Sequence, residues 1–229
     1  MKLKFIYNKC FKAIDGLQND DVFWYSSKRP KTITRTSFFE SAVFAIWVSG
    51  LRRKSTESFL KRAEQNGFEW DFSYIAVQTP KKWEKFKVSL HGENIPKRAD
   101  MKWDAIQYIA KQINEYKEDE QFRKEWFDGK SRSSYLTNEN VKSIQKRKLP
   151  FIGRANSHFI VRNMGGEAIK CDRWLEAFMD YFKISESQLL KSLEKSNIPA
   201  GLFDLVIWAY CERFIKKTGE FAYHFDEII

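Results

Sequence analysis

Residues 149–174 read LPFIGRANSHFIVRNMGGEAIKCDRW. A short apolar turn, Leu149 to Ile152, leads through Gly153 into a helix-forming run, and a lone aspartate, Asp172, follows the glycine pair Gly165 and Gly166. Two helices joined by a tight turn can offer consecutive backbone N–H groups to a phosphate, because the opening turn of the second helix has unpaired donors and a partial positive charge. Such a turn needs little side chain where the backbone meets the ligand, and Gly153 meets that need. Pro150 stiffens the turn, and Leu149 and Ile152 can pin the two helices together. The surrounding KSIQKRKLPFIGR, residues 142–154, carries Lys142, Lys146, Arg147, Lys148 and Arg154 and no acidic residue, so it points to phosphate contact independent of base sequence. The competing reading is an ordinary αα-hairpin in which the glycine is only a connector.

The whole chain agrees with a basic, globular, helical protein. Its 229 residues, 43% hydrophobic and 16% aromatic, suffice for one or two lobes with a real core. A formal charge of +10 and a pI near 9.4 favour a polyanionic partner, nucleic acid or an anionic surface. The longest apolar run, FAIWVSGL at 44–51, is broken by Ser49 and Gly50 and is far shorter than the roughly 18 to 20 residues of a membrane span. The opening MKLKFIYNKCFKAIDG lacks the features of a secretory signal, so an intracellular location and no membrane partner are expected. Cys10, Cys171 and Cys211 match no zinc or iron–sulfur spacing, so neither a metal nor another cofactor is expected.

Helical signals dominate. Ser37 and Glu40 have capping-box spacing ahead of a helix that buries Phe39, Val43, Ile46 and Trp47 and ends near Gly50. A second helix over KSTESFLKRAEQN stops at Gly67, and residues 99–127 form one long helix or two consecutive ones, with Trp103, Ile106, Ile109, Ala110 and Ile113 on one stripe. Short helices follow over NENVKSIQKRK and RANSHFIVRNM, another after the Ser185 and Gln188 capping box, and a last, broadly apolar one over PAGLFDLVIWAYCERFIKK. Only KFKVSLHG hints at strand alternation. The expected class is all-α.

Asp172 lies 172 − 153 = 19 residues after the turn glycine. That arrangement resembles the helix-hairpin-helix DNA glycosylase superfamily, in which the hairpin is followed by an aspartate at the start of the next helix. NSHFIVRN at 156–163 and DRW at 172–174 are most similar to the small archaeal and bacterial 8-oxoguanine glycosylases. The resemblance implies a two-lobed fold with the active site between the lobes: 46–171 as the hairpin-bearing lobe, and 1–45 with 172–229 as the second. It implies a monomer acting on duplex DNA that contains a damaged or modified base. Two positions depart from the family pattern. Phe151 stands where the first turn glycine is expected, and Ala155 where bifunctional members hold a Schiff-base lysine, so strand-cleaving chemistry is not carried over and a monofunctional enzyme is expected.

Breaking the bond between a base and C1′ puts positive charge on the sugar, which a shielded carboxylate stabilises while it orients water. Asp172 is the candidate for that role, alongside the simpler role of helix N-cap. The candidate DNA contacts are Lys148, Leu149, Pro150, Phe151, Ile152, Gly153, Arg154 and Ala155 of the turn, and the resemblance adds Arg52 and Arg53, in the loop where related folds place residues that fill the gap left by an extruded nucleotide. Lys28, Arg29, Lys31 and Arg35 can add a second strand contact. Candidate pocket walls are Phe39, Trp47, Trp174 and Trp208. Lys148 and Lys170 flank the motif and become nucleophiles only if desolvated, whereas His158 reads as packed or phosphate-facing. The alternative from another class is a non-enzymatic DNA-binding protein that keeps the hairpin.

Overall fold

In the computed structural model, which describes residues 3–49, 53–170 and 172–215, thirteen α-helices follow one another and no strand occurs among the described residues. They are α1 Leu3–Ala13, α2 Asp20–Ser27, α3 Arg35–Val48, α4 Arg53–Gln65, α5 Phe72–Ala76, α6 Pro80–His91, α7 Lys97–Asn114, α8 Asp119–Trp126, α9 Asn138–Lys146, α10 Arg154–Asn163, α11 Arg173–Phe182, α12 Glu186–Lys195 and α13 Ala200–Tyr210. The chain is all-α. No helix among the described residues is long and apolar enough to cross a membrane.

Local chemistry explains where these helices begin. Thr34, not Ser37, caps α3: its hydroxyl accepts from the Ser37 N–H, and the Ser37 hydroxyl answers the Thr34 N–H, so the helix starts one turn earlier than the Ser37/Glu40 spacing suggests. Ser185 and Gln188 form the expected box on α12. The long 99–127 pattern divides into α7 and α8. KFKVSLHG is helical, because Thr79 caps α6, Pro80 fits its first turn, and Trp83 and Lys87 fall on one buried face.

Two hydrophobic cores result. The first gathers Ile33 through Ala168, including α3, α7, α9 and α10. The second joins Leu3 through Tyr25 to Ile169 through Ile215. A division at 45/46 would cut α3, whose Phe38, Phe39, Ala42, Val43, Ile46 and Trp47 all pack in the first core; the change of core comes instead between Tyr25 and Ile33. The chain returns to the second core between Ala168 and Ile169.

The segment that crosses back is fixed by its glycines. Gly165 has φ +96°, and a Cβ there would stand 2.3 Å from the Pro30 carbonyl oxygen, so a side chain is excluded on both counts. The Gly166 carbonyl accepts from the Tyr25 hydroxyl at 3.0 Å, and Glu167 pairs with Arg29 at 3.1 Å. Gly166 and Glu167 are thereby held against Tyr25 of α2 and Arg29 just beyond it.

Candidate functional site

The turn between α9 and α10 is built as a hairpin. Lys148 ends α9 in the left-handed conformation, φ +50°, and is exposed. Leu149 and Ile152 turn inward and are buried in the first core, while Pro150 and Gly153 are exposed. Phe151 has φ +61°, a backbone conformation that glycine adopts freely and phenylalanine does not, and its carbonyl accepts from Asn156 Nδ2 at 2.7 Å. The residue that departs from the glycine pattern therefore keeps the glycine geometry. Its ring packs against the first core. Gly153, at the start of α10, supplies no side-chain cap to the opening N–H groups, and a Cβ added there would meet nothing within 4 Å. Arg154 is exposed and pairs with Glu186 at 2.9 Å, and Ala155 is half-buried.

Asp172 caps α11. Its Oδ1 accepts from the backbone N–H groups of Trp174 at 3.1 Å and Leu175 at 3.4 Å, and its Oδ2 lies 3.7 Å from Lys170 Nζ. The side chain is 18% exposed. One oxygen is thus spent on the helix and the other faces the partly buried Lys170 amine. Beneath them, Asp204 of α13 forms a buried ion pair with Arg162 of α10 and also accepts from the Lys170 backbone N–H at 3.1 Å. Burial pushes the Asp204 carboxyl above the usual carboxylate range, and Arg162 opposes that. Burial also pushes the Lys170 ammonium below the ordinary lysine value, with Arg162 acting in the same direction and Asp172 and Asp204 against it.

Phe159 of α10 joins the turn to this cluster. Lys170 Nζ and the Arg162 guanidinium lie 5.0 and 4.9 Å from its ring centre, and Phe44 of α3 stacks on it at 5.8 Å with planes 7° apart. At about 1.5 Å of rise per residue, Phe159 stands roughly 8 Å along α10 from Arg154. Phe159 thus links α10 to Lys170, which pairs with Asp172.

The expected pocket wall is corrected. Phe39 and Trp47 lie in the first core, Phe39 edge-on to Phe72 and Trp47 against Phe59 and Trp103. They are 1% and 2% exposed, so no base can reach them. Trp174 and Trp208 are half-buried against the second core, and Trp174 Nε1 donates to Glu212 at 3.0 Å. The four are not brought together. Sequence reading missed Arg162 and Asp204, although each is a lone charge in an apolar helical run, and such charges are buried only when paired.

Arg52 lies outside the described residues, and Arg53 is described only as the start of α4. Of the second basic stretch, Arg35 is bound internally to Asp119 at 3.0 Å and Arg29 to Glu167, which leaves neither guanidinium free for a strand. His158 is buried, its Nδ1 has no hydrogen-bond partner, and burial lowers its pKa, so it is a packed neutral imidazole. Compared with protein-family models, with curated proteins and with solved structures, the chain matches none.

Proposed function

We propose that the protein is a helix-hairpin-helix DNA glycosylase that hydrolyses the bond between C1′ and a damaged or modified base in duplex DNA. The observation that carries this reading is the turn itself: Phe151 holds the left-handed backbone of the glycine it replaces, and exposed Gly153 opens α10 with free space around it. A sugar–phosphate chain can approach that backbone closely, and the net charge of +10 favours its approach. Asp172 Oδ2, which lies 3.7 Å from Lys170 Nζ while Oδ1 caps the helix, is the anionic oxygen for the charged sugar and its attacking water. The division of the interior into two hydrophobic cores supports a two-lobed reading.

The test is base release from a panel of duplexes, each with one oxidised guanine or one alkylated base. Release from at least one of them that Asp172→Asn abolishes, with duplex binding retained, is the expected result. Tight, salt-sensitive binding with no release across the panel would instead mark a hairpin DNA-binding protein, and a preference for single-stranded RNA would remove duplex DNA as the partner.

A further inference from the structure

We infer that an open cavity between α5 and α6 is a binding site for a nucleobase that carries a phosphate, either a free nucleotide or one unit of a single strand. None of its lining residues belongs to the turn between α9 and α10 or to the Asp172 cluster, so the inference stands apart from the glycosylase reading.

The cavity has a volume of about 410 Å³, inside the roughly 300–1,000 Å³ range of small-ligand sites. Its wall is aromatic. Phe68 stacks on Phe86 with ring centres 3.9 Å apart, and Trp83 lies 6.3 Å from Phe86 with planes 29° apart. Buried Trp103 of α7 braces all three edge-on, at 5.5 Å from Phe68, 5.5 Å from Trp83 and 5.4 Å from Phe86. The wall is therefore set before a ligand arrives, and little ordering cost remains to be met on binding. Trp83 is only 3% exposed, and its Nε1 has no hydrogen-bond partner among the described residues. A buried donor without an acceptor is destabilising, and an acceptor on a ligand seated against this wall can satisfy it. Tyr74 lines the cavity from α5, is 41% exposed and stacks on no other ring among the described residues, so its face is open to a base.

The charge on the lining has one sign. It holds Lys82 and Lys85 and no carboxylate. Both lysines are exposed, and neither makes an ion pair among the described residues, whereas Lys87 on the same helix is bound by Glu84, Asp100 and Asp104. Three residues apart on α6, Lys82 and Lys85 share a face and can hold one phosphate between them. Ring faces for stacking beside unpaired ammonium groups form the combination that binds nucleotides irrespective of base. An aliphatic anion would use the lysines and leave the rings unstacked.

The experiment is an NMR titration of the full, isotope-labelled chain with deoxyadenosine monophosphate, deoxyadenosine, inorganic phosphate and octanoate. The monophosphate should move the Tyr74 and Lys82–Phe86 resonances and the Trp83 indole N–H, and the other three should bind about 10-fold more weakly or less. Tyr74→Ala and the joint Lys82→Gln, Lys85→Gln change should each weaken the monophosphate about 10-fold, while Lys191→Gln, at an exposed lysine on α12, should match the parent. The substituted side chains are exposed, and melting curves establish that the variants are folded. A single-stranded oligomer of deoxyadenosine separates the two sources: tighter binding than the monophosphate, weakened by the same variants, assigns the site to a strand, and binding no tighter assigns it to the free nucleotide. Absence of shifts at α5 and α6, affinity for deoxyadenosine, phosphate or octanoate equal to that for the monophosphate, or an affinity unchanged in either variant overturns the proposal.

Discussion

Arg162 of α10 and Asp204 of α13 form an ion pair in the interior, with side chains 7% and 2% exposed, and it spans the junction of the two hydrophobic cores. The same Asp204 carboxylate fixes the Lys170 backbone two residues before Asp172, so the pair is both a tie between cores and the floor of the candidate site. Removing either partner leaves a buried charge uncompensated. Arg162→Met and Asp204→Asn should each lower unfolding stability by about 3–5 kcal/mol, whereas the joint Arg162→Met, Asp204→Leu change should cost clearly less than their sum. Urea unfolding of the three variants measures this. Single losses below about 1 kcal/mol would mean that water screens the pair.

The two glycines that frame α10 should respond in opposite ways. An alanine Cβ at Gly165 would stand 2.3 Å from the Pro30 carbonyl oxygen and 3.1 Å from Ser133 Cβ at φ +96°, so Gly165→Ala should destabilise by about 2 kcal/mol or more. At Gly153 the added atom meets nothing, and Gly153→Ala should change stability by less than about 1 kcal/mol. Gly153→Leu should likewise fold but bind duplex DNA more weakly whatever its sequence. Thermal melts together with binding titrations separate the two effects; unchanged binding by Gly153→Leu would take the turn out of the interface.

The helices and the hairpin were legible in the sequence because their signals are local. The Leu149 and Ile152 contacts, the buried α7 stripe from Trp103 to Ile113 and the Ser185 cap each depend on spacings of three or four residues. What escaped was set by distance. Phe39 and Trp47 look alike as pocket or core until the helices pack, and only packing reveals that Phe44, which lies between them on α3, is the ring that stacks on Phe159. Asp204 and Arg162 are 42 residues apart, so their pairing has no periodicity to announce it. KFKVSLHG misled because its alternation is short, and Thr79 and Pro80 just upstream start a helix through it.

Lys87 of α6 sits under three carboxylates, Glu84 at 2.9 Å, Asp100 in contact and Asp104 at 3.5 Å, the last two from α7. Burial lowers its pKa, but the hydrogen bonds to Asp100 and Glu84 and the charge of Asp104 outweigh that, so the net shift is upward from the ordinary value of 10.5. A raised folded-state value means that the stabilisation is complete below 10.5 and fades as pH rises above it. The partner carboxylates are largely exposed, so Lys87→Met should cost only about 1–2 kcal/mol near neutral pH, and less in high salt. Urea unfolding at two ionic strengths checks both; a loss insensitive to salt would show that Lys87 acts through its packed stem and not its charge.

Lys102 should show the opposite pH dependence. Its Nζ donates to the Trp47 carbonyl at 2.9 Å and the Ser49 carbonyl at 2.8 Å, closing the end of α3, and it lies 5.2 Å from the Trp47 ring centre. Burial, helped by the like charge of Arg98, pushes its pKa from 10.5 down to about 8. A neutral amine still has two N–H groups for the two carbonyls, so deprotonation removes the cost of a buried charge without opening the cap. Between pH 8 and 10.5 the unfolded chain holds this proton and the folded chain does not, so stability rises with pH through that window and is flat in this respect below it. The difference in unfolding free energy between the parent and Lys102→Met should therefore move in the parent's favour as pH climbs from about 8 to 10.5. The Lys102 side-chain resonance should titrate near 8. A pH-independent difference, or titration with the exposed lysines, would mean that water reaches the amine and that α3 is not closed by a desolvated charge.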